Sequence, residues 1–262
     1  MLPALTEAQA LIWTQRMIAV GLIQQSVELL SIRRDFGRDG VWSWMILRGD
    51  FNFLPKYAMA FFDWILADSR FIAVIALQLI LAIASLFFPV ALIFFGQLLT
   101  ATLICLRWRG TFNGGSDFMT LIVLTGVVLA GFFGSKNGGV TMALIYIALH
   151  SVLSYWVAGA AKFADQSWRS GKALRSFLKG APSRVWVPGP RAAIFFTFLI
   201  LVFECSFPLA ILRPESCFFY MIFGLLFHTS NALVLGLNRF ILPWAATYPA
   251  LWYLSQFVSL GV

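Results

Sequence analysis

Between Phe71 and Leu106 the sequence runs for 36 residues without a charged side chain. One helix needs about 20 apolar residues to cross the hydrocarbon core of a bilayer, so this run is long enough for two helices. Proline lacks a backbone N–H and cannot continue a helix, and we therefore predict a hairpin that turns near Ser85–Pro89. A segment of this kind predicts a protein that folds in a membrane.

Composition extends this conclusion to the whole chain. Apolar residues make up 60% and charged residues 11% of the 262 positions, whereas soluble domains carry about 45–50% and about 25%. A soluble globule of this length has too little interior for so many apolar side chains. Three scattered cysteines without a Cys-x-x-Cys pair predict neither a disulfide framework nor a metal site. We exclude a soluble enzyme, a disordered chain and a nucleic-acid module, and predict an all-α, polytopic transmembrane helical bundle of seven or eight spans in one domain, residues 1–262.

Six further segments predict helices by their apolar content and length. The first of them contains Arg16, Glu28 and three glutamines, so it packs inside the bundle or lies at the membrane interface. An additional stretch, Phe51–Leu66, is typical of an interfacial helix. The six predicted helices are Ala10–Leu30, Phe118–Phe133, Val140–Ala161, Ala192–Leu212, Cys217–Leu237 and Leu242–Leu260.

The connecting loops differ sharply in charge. Loops one, three, five and seven hold fifteen Lys and Arg residues, whereas loops two, four and six hold two. Cytoplasmic loops carry the excess of basic residues in membrane proteins, so we place the odd loops in the cytoplasm and both termini outside.

Three residues near the end of the helix Val140–Ala161 share one helix face. Tyr155, Gly159 and Lys162 are spaced i, i+4 and i+7. Gly159 allows a neighbouring helix or ligand to approach the backbone. A lysine held beside that gap is partly desolvated and can act as a base. In the alternative interpretation, Lys162 extends to the lipid head groups at the helix end.

Glu204 and His228 are ionisable residues within predicted spans. A carboxylate at this depth is costly, so it faces the bundle interior and has a partner. His228 and Asn231 lie on one stripe of their helix. Two interpretations remain: Glu204 joins helices by pairing with His228, Lys162 or Arg16, or these side chains line a substrate pocket.

A second candidate site precedes the helix Phe118–Phe133. Asn113 precedes a Gly-Gly pair that permits a tight turn, and Ser116 or Asp117 after the pair can cap the helix. Arg107 and Arg109 just upstream could hold an acidic or phosphate-bearing group at that helix N-terminus. The alternative is a capped turn with arginines that reach the head groups.

The segment Tyr155-x-x-Ala-Gly159-x-x-Lys162 resembles the signature of the vitamin K-dependent γ-carboxylase family, whose bacterial relatives are the HTTM-domain membrane proteins. Two further stretches, Phe203–Pro208 and Phe227-His228-x-x-Asn231, resemble the glutamate-containing and F-H-x-x-N helices of that family. The similarity runs in order from about residue 107 to residue 246.

This resemblance implies a function in peptide maturation or modification. In the carboxylase, the lysine that matches Lys162 deprotonates vitamin K hydroquinone, which then reacts with O₂ and generates the base for CO₂ addition to a peptide glutamate. The resemblance therefore implies this quinol or another one as cofactor, a secreted or hydrophobic peptide and a co-encoded membrane protein as partners, and the bacterial inner membrane as location. One bacterial branch accompanies sporulation-delaying peptide toxins. The alternatives are a quinone-linked redox enzyme without carboxylation, a non-catalytic partner of a hydrophobic peptide, and a transporter.

Overall fold

The computed structural model describes residues 4–108, 114–134, 138–183 and 185–259. Over these residues the protein is helical and contains no strand. Its α-helices are α1 Glu7–Ser31, α2 Trp44–Leu47, α3 Lys56–Ile65, α4 Asp68–Phe87, α5 Ala91–Arg107, α6 Gly114–Phe133, α7 Gly139–Ala164, α8 Gln166–Arg169, α9 Lys172–Lys179, α10 Pro190–Ser206, α11 Pro214–Leu235, α12 Ile241–Ala245 and α13 Tyr248–Ser259. A 3₁₀ helix, Phe207–Ile211, continues α10.

Five of the described helices are long and apolar enough to cross a membrane. They are α4, α6, α7, α10 with its 3₁₀ extension, and α11. The helix α5 is apolar but has 17 residues. The first and last helices, α1 with 25 residues and α13 with 12, are outside this group. The structure therefore supports an integral membrane bundle with five candidate spans among the described residues.

The uncharged run forms the two helices α4 and α5. Helix α4 ends at Phe87, and the backbone of Phe88 is non-helical, with φ −126° and ψ 79°. Pro89 follows, and α5 starts at Ala91. The break lies where the proline predicted it.

Polar side chains of α1 form hydrogen bonds inside the bundle. Gln25 donates to the carboxylate of Asp117 on α6 at 3.0 Å and accepts from Gln78 on α4 at 3.0 Å. Gln78 also lies 3.2 Å from the Ser26 hydroxyl. Because buried amides need such partners, α1 packs against α4, α6 and α7 rather than facing lipid on all sides.

The helix ends form two groups at opposite ends of the bundle. At one end, Asn238 donates to Glu28 at the end of α1, and Arg239 pairs with Asp117 at the start of α6. At the other end, Thr141 at the start of α7 donates to Glu7. The first end carries the connections 32–67, 165–189 and 236–240, which hold most of the basic residues, and we call it the basic end.

The connection 32–67 folds into a small core of its own at the basic end. Phe36, Trp44 and Phe51 are buried there together with Phe71 at the start of α4. The predicted interfacial stretch begins at the last residue of the 3₁₀ helix Arg48–Phe51 and contains the ten-residue helix α3. Tyr57 on α3 remains largely exposed on the surface.

Candidate functional site

A cavity of about 690 Å³ lies among α7, α10 and α11. Five of the residues singled out from the sequence line it: Tyr155, Lys162, Glu204, His228 and Asn231. They come from three helices that are far apart along the chain. The fold therefore brings the three motifs of the resemblance to one place.

The cavity exists because α11 diverges from α10. Helix α11 packs against the 3₁₀ helix Phe207–Ile211 and against α13 rather than along α10. Trp168, α9, Phe240 and Trp244 close the space at the basic end. Between α10 and α11 the cavity is open, and its lining residues Phe196 and Ser230 are exposed.

Helices α7 and α10 lie very close together beside the cavity. A Cβ atom added to Gly159 would lie 2.8 Å from the backbone nitrogen of Cys205 and 2.8 Å from the Cβ of Glu204. Only a glycine fits this contact. Because the two helices approach so closely, Glu204 lies beside Lys162, which is one turn beyond Gly159 on α7.

Lys162 and Glu204 form an ion pair in the cavity wall. Nζ lies 2.7 Å from both carboxylate oxygens, and the side chains are 21% and 3% exposed. The Trp168 ring lies on the other side of the ammonium, with its centroid 5.5 Å from Nζ. Of the three partners considered for Glu204, the structure therefore shows Lys162.

The pair lies well within the length of α10. Glu204 follows Pro190, the first residue of the helix, by fourteen residues, which is about 21 Å at 1.5 Å per residue. Seven residues remain to Ile211, the end of this candidate span. The Lys162 ammonium thus contacts a buried carboxylate fourteen residues into α10, although Lys162 itself is only two residues from Ala164, where α7 ends at the basic end.

A second polar contact lines the same cavity. The Tyr155 hydroxyl and the His228 Nε2 atom are 2.6 Å apart, and the Tyr155 ring stacks on Phe207 with centroids 3.9 Å apart. The other His228 ring nitrogen, Nδ1, is buried and has no hydrogen-bond partner among the described residues. The same holds for the indole nitrogen of Trp244, whose ring lies 4.7 Å from that of His228. Two buried polar atoms of cavity-lining residues therefore have no hydrogen-bond partner among the described residues.

The chain matches no known protein family, no curated protein and no solved structure. The likeness to the γ-carboxylase family therefore depends on the three motifs alone. The roles that it implies for Lys162, Glu204 and His228 stay predictions.

Arg107 does not line the cavity, and its side chain already makes hydrogen bonds to other groups of the protein. The fully buried guanidinium donates to the carbonyls of Leu66, Phe36 (2.6 Å) and Trp42 (3.1 Å) and to the carboxylate of Asp68 (2.9 Å). These acceptors belong to the connection 32–67 and the start of α4. Arg107 thus holds the small core at the basic end, rather than an anion at the start of α6.

Asp117 also lies outside the cavity, in a buried ion pair. Its carboxylate accepts from Arg239 at 2.6 Å and from Gln25 at 3.0 Å. Arg239 directly precedes Phe240, which stacks on Trp244 with an interplanar angle of 9°. Asp117 therefore supports the aromatic wall of the cavity from behind. Arg109 and Asn113, the other two residues of this candidate site, lie outside the described residues.

Sequence reasoning missed the aromatic part of the site. Trp244 and Phe177 line the cavity without belonging to any polar pattern. Trp168 lies six residues after Lys162, covers its ammonium and stacks on Phe177 with centroids 5.6 Å apart. Aromatic residues are frequent in this chain, so their identity alone could not separate lining residues from lipid-facing ones.

Proposed function

We propose that this chain is an intramembrane peptide-modifying protein whose cavity binds a hydroxyl-bearing amphipathic ligand and takes a proton from it. The observation that carries the proposal is the Lys162–Glu204 pair in the wall of a largely apolar cavity. Ionisable side chains at this depth are costly and are typical of functional sites in membrane proteins. The resemblance to the γ-carboxylase family supplies the expected reaction type.

The pair can accept a proton in two steps. Apolar surroundings disfavour two separated charges, so the ammonium proton of Lys162 can pass over 2.7 Å to Glu204 and leave a neutral amine and a neutral acid. The amine of Lys162 then takes the proton of a ligand hydroxyl. The result is a lysine ammonium beside the ligand oxygen and a protonated Glu204. Lys162 is thus the direct base and Glu204 holds the proton.

The cavity residues fit a quinol. His228 and Trp244 line the cavity, and their buried Nδ1 and Nε1 atoms have no partners among the described residues, so a ligand oxygen would pair with them once the two rings shift to expose these atoms. Lys162 would hold a second oxygen on the α7–α10 side of the cavity. A bound quinol would supply an acidic hydroxyl and, after oxidation, the reactivity for peptide modification. The apolar walls exclude water, which would otherwise compete for the proton.

Anaerobic titration with a 2-alkyl-1,4-naphthohydroquinone tests the proposal. The purified protein in lipid nanodiscs should bind this probe, and its absorbance should show loss of the hydroxyl proton at neutral pH. Lys162→Arg should bind the probe but leave it protonated, because arginine keeps the charge and cannot act as a base. The proton transfer should slow by about 10²–10⁴-fold. Absence of binding by the wild-type protein, or unchanged ionisation in Lys162→Arg, would reject the proposal.

A non-catalytic role is the second candidate. The carboxylate of Glu204 is satisfied by Lys162 in the structure, as in pairs that only join two helices. The open side of the cavity between α10 and α11 could accept an apolar segment of a peptide. In that case Lys162→Arg would retain full function in a peptide-dependent cellular assay, and the naphthohydroquinone would show no change in protonation.

A further inference from the structure

Helix α9 has two faces of opposite character. Lys172, Arg175 and Lys179 are spaced i, i+3 and i+7 and form one stripe along the helix. Leu174, Phe177 and Leu178 occupy the opposite face and line the cavity. We call the first set the basic stripe. The apolar face closes the cavity at the basic end, and the basic stripe is turned away from it.

The position of α9 puts the basic stripe at the level of the lipid head groups. The helix crosses from the start of α10 to the end of α11. Its N-cap, Gly171, has φ +70°, and a Cβ atom there would lie 2.8 Å from the backbone of Ala193, the fourth residue of α10. Past its C-terminal end, the Ser183 hydroxyl donates to the carbonyl of Val234 near the end of α11. Both candidate spans end at this level.

Within the described part of the chain, the basic stripe makes no ion pair with a carboxylate. Among the residues that the structure describes, no carboxylate lies within ion-pair distance of Lys172, Arg175 or Lys179. Glu204, the acid on the cavity side, is engaged with Lys162. Asp165 lies nearby in sequence, but its oxygens accept from the backbone and hydroxyl of Ser167.

Helix α9 is also loosely packed. A second cavity, of about 770 Å³, lies on its other side and shares Trp168, Phe177 and Leu235 with the first. Open space on both sides leaves few apolar contacts to hold an eight-residue helix, and isolated helices of this length are unstable. An additional contact from outside the chain would stabilise it.

We propose that the basic stripe of α9 binds the head groups of anionic phospholipids, and that this contact keeps α9 closed over the cavity. Basic amphipathic helices bind anionic membrane surfaces in this way. The phosphate of the head group supplies the counter-charge, and free phosphate in solution could do the same chemically. This inference concerns access to the cavity and does not depend on proton transfer at Lys162.

Labelling of a cysteine at position 178 measures whether α9 is closed. Leu178→Cys is prepared in the full-length protein, in nanodiscs of phosphatidylcholine or of an equimolar mixture with phosphatidylglycerol. The rate of labelling by an uncharged polyethylene glycol maleimide measures how accessible this cysteine is. The protein without Leu178→Cys serves as the control for labelling of the three native thiols. Labelling should be at least tenfold slower with phosphatidylglycerol, since each basic residue near an anionic surface contributes about fivefold to binding. High salt should remove most of the difference.

Two further labelling comparisons identify the binding partner. Lys172→Gln/Arg175→Gln/Lys179→Gln, added to Leu178→Cys, should lose the effect of phosphatidylglycerol. The matched control Arg33→Gln/Arg34→Gln/Arg38→Gln, which removes three exposed charges at the same end, should keep it. Inorganic phosphate added to phosphatidylcholine nanodiscs should not reproduce it.

Three outcomes would overturn the inference. The protein with an intact basic stripe could be labelled at the same rate in both lipids, or the control variant could lose the effect of phosphatidylglycerol as fully as the stripe variant does. Inorganic phosphate could also slow labelling as much as phosphatidylglycerol does. The lipid and salt comparison uses the intact stripe, so it decides the question even if the triple variant fails to fold.

Discussion

The Nζ atom of Lys162 lies 2.7 Å from both carboxylate oxygens of Glu204, although 42 residues separate the two side chains in the sequence. The contact requires α7 and α10 to touch at Gly159, because a side chain there would separate the helices. A single glycine therefore controls both the packing of two candidate spans and the geometry of the only ion pair that lines the cavity within the described part of the chain.

Removing one member of this pair should destabilise the protein strongly. Glu204→Gln leaves the Lys162 ammonium without its counter-charge, which costs about 3–5 kcal/mol for a buried pair. We expect the lower end, because the Lys162 side chain is 21% exposed. Lys162→Met/Glu204→Gln should lose less than Glu204→Gln alone. Free energies of unfolding from SDS titration in mixed micelles measure this cycle, and purely additive losses would show that the pair contributes no coupling energy.

Gly159→Ala should destabilise the contact between α7 and α10. Its Cβ atom would be 2.8 Å from backbone and side-chain atoms of α10, closer than atoms pack. Overpacking of this kind costs about 1–3 kcal/mol. Gly189→Ala is the matched control, because no atom lies within 4 Å of the added Cβ just before α10. Equal unfolding free energies for the two variants would contradict the close approach.

The distribution of charge predicts that the basic end faces the cytoplasm. A fluorescent reporter fused after Lys179 should therefore be active in the cytoplasm, and an alkaline phosphatase fused after Leu212 should be active outside. Phosphatase activity at position 179 would reverse the orientation.

Stability of the segment that contains α2 and α3 should fall in acid. Arg48 donates to both oxygens of Asp63, at 2.7 and 2.9 Å, and these hydrogen bonds hold the pKa of Asp63 below its ordinary value. A carboxylate with a lowered folded-state pKa stabilises the fold above the ordinary pKa of about 3.9. That contribution is lost as the pH falls through the folded-state pKa.

Hydrogen exchange of the α3 amides, corrected for the intrinsic rate, measures this effect. The difference between wild type and Asp63→Asn should be constant from pH 7 to about pH 5 and should shrink below about pH 4. The difference is small because both side chains are partly exposed to solvent. A difference between the two proteins that grows as the pH falls would contradict the prediction.

Local patterns predicted most of the helices and the polar members of the site. The proline break between α4 and α5 and the shared face of Tyr155, Gly159 and Lys162 follow from backbone chemistry and helix periodicity within short windows. The cost of an unpaired carboxylate predicted that Glu204 has a partner. It could not select Lys162, since that choice depends on how two distant helices align.

Features that depend on packing between distant segments could not be predicted from the sequence. Three acceptors of Arg107 are backbone carbonyls, which every residue carries and which no pattern distinguishes. The divergence of α11 from α10, which creates the cavity, follows from contacts with the 3₁₀ helix Phe207–Ile211 and with α13. The number of spans was also difficult to predict, because α1 is long but polar and α13 is apolar but has 12 residues.

The open side of the cavity between α10 and α11 determines which concentration governs its occupancy. Phe196 belongs to a candidate span, lines the cavity on this open side and is 41% exposed. A molecule that arrives there comes from the bilayer, where amphipathic compounds accumulate by partitioning. Saturation should therefore follow the mole fraction of the ligand in the lipid, so that diluting the protein with more lipid at constant total ligand empties the cavity, whereas diluting the sample with buffer does not.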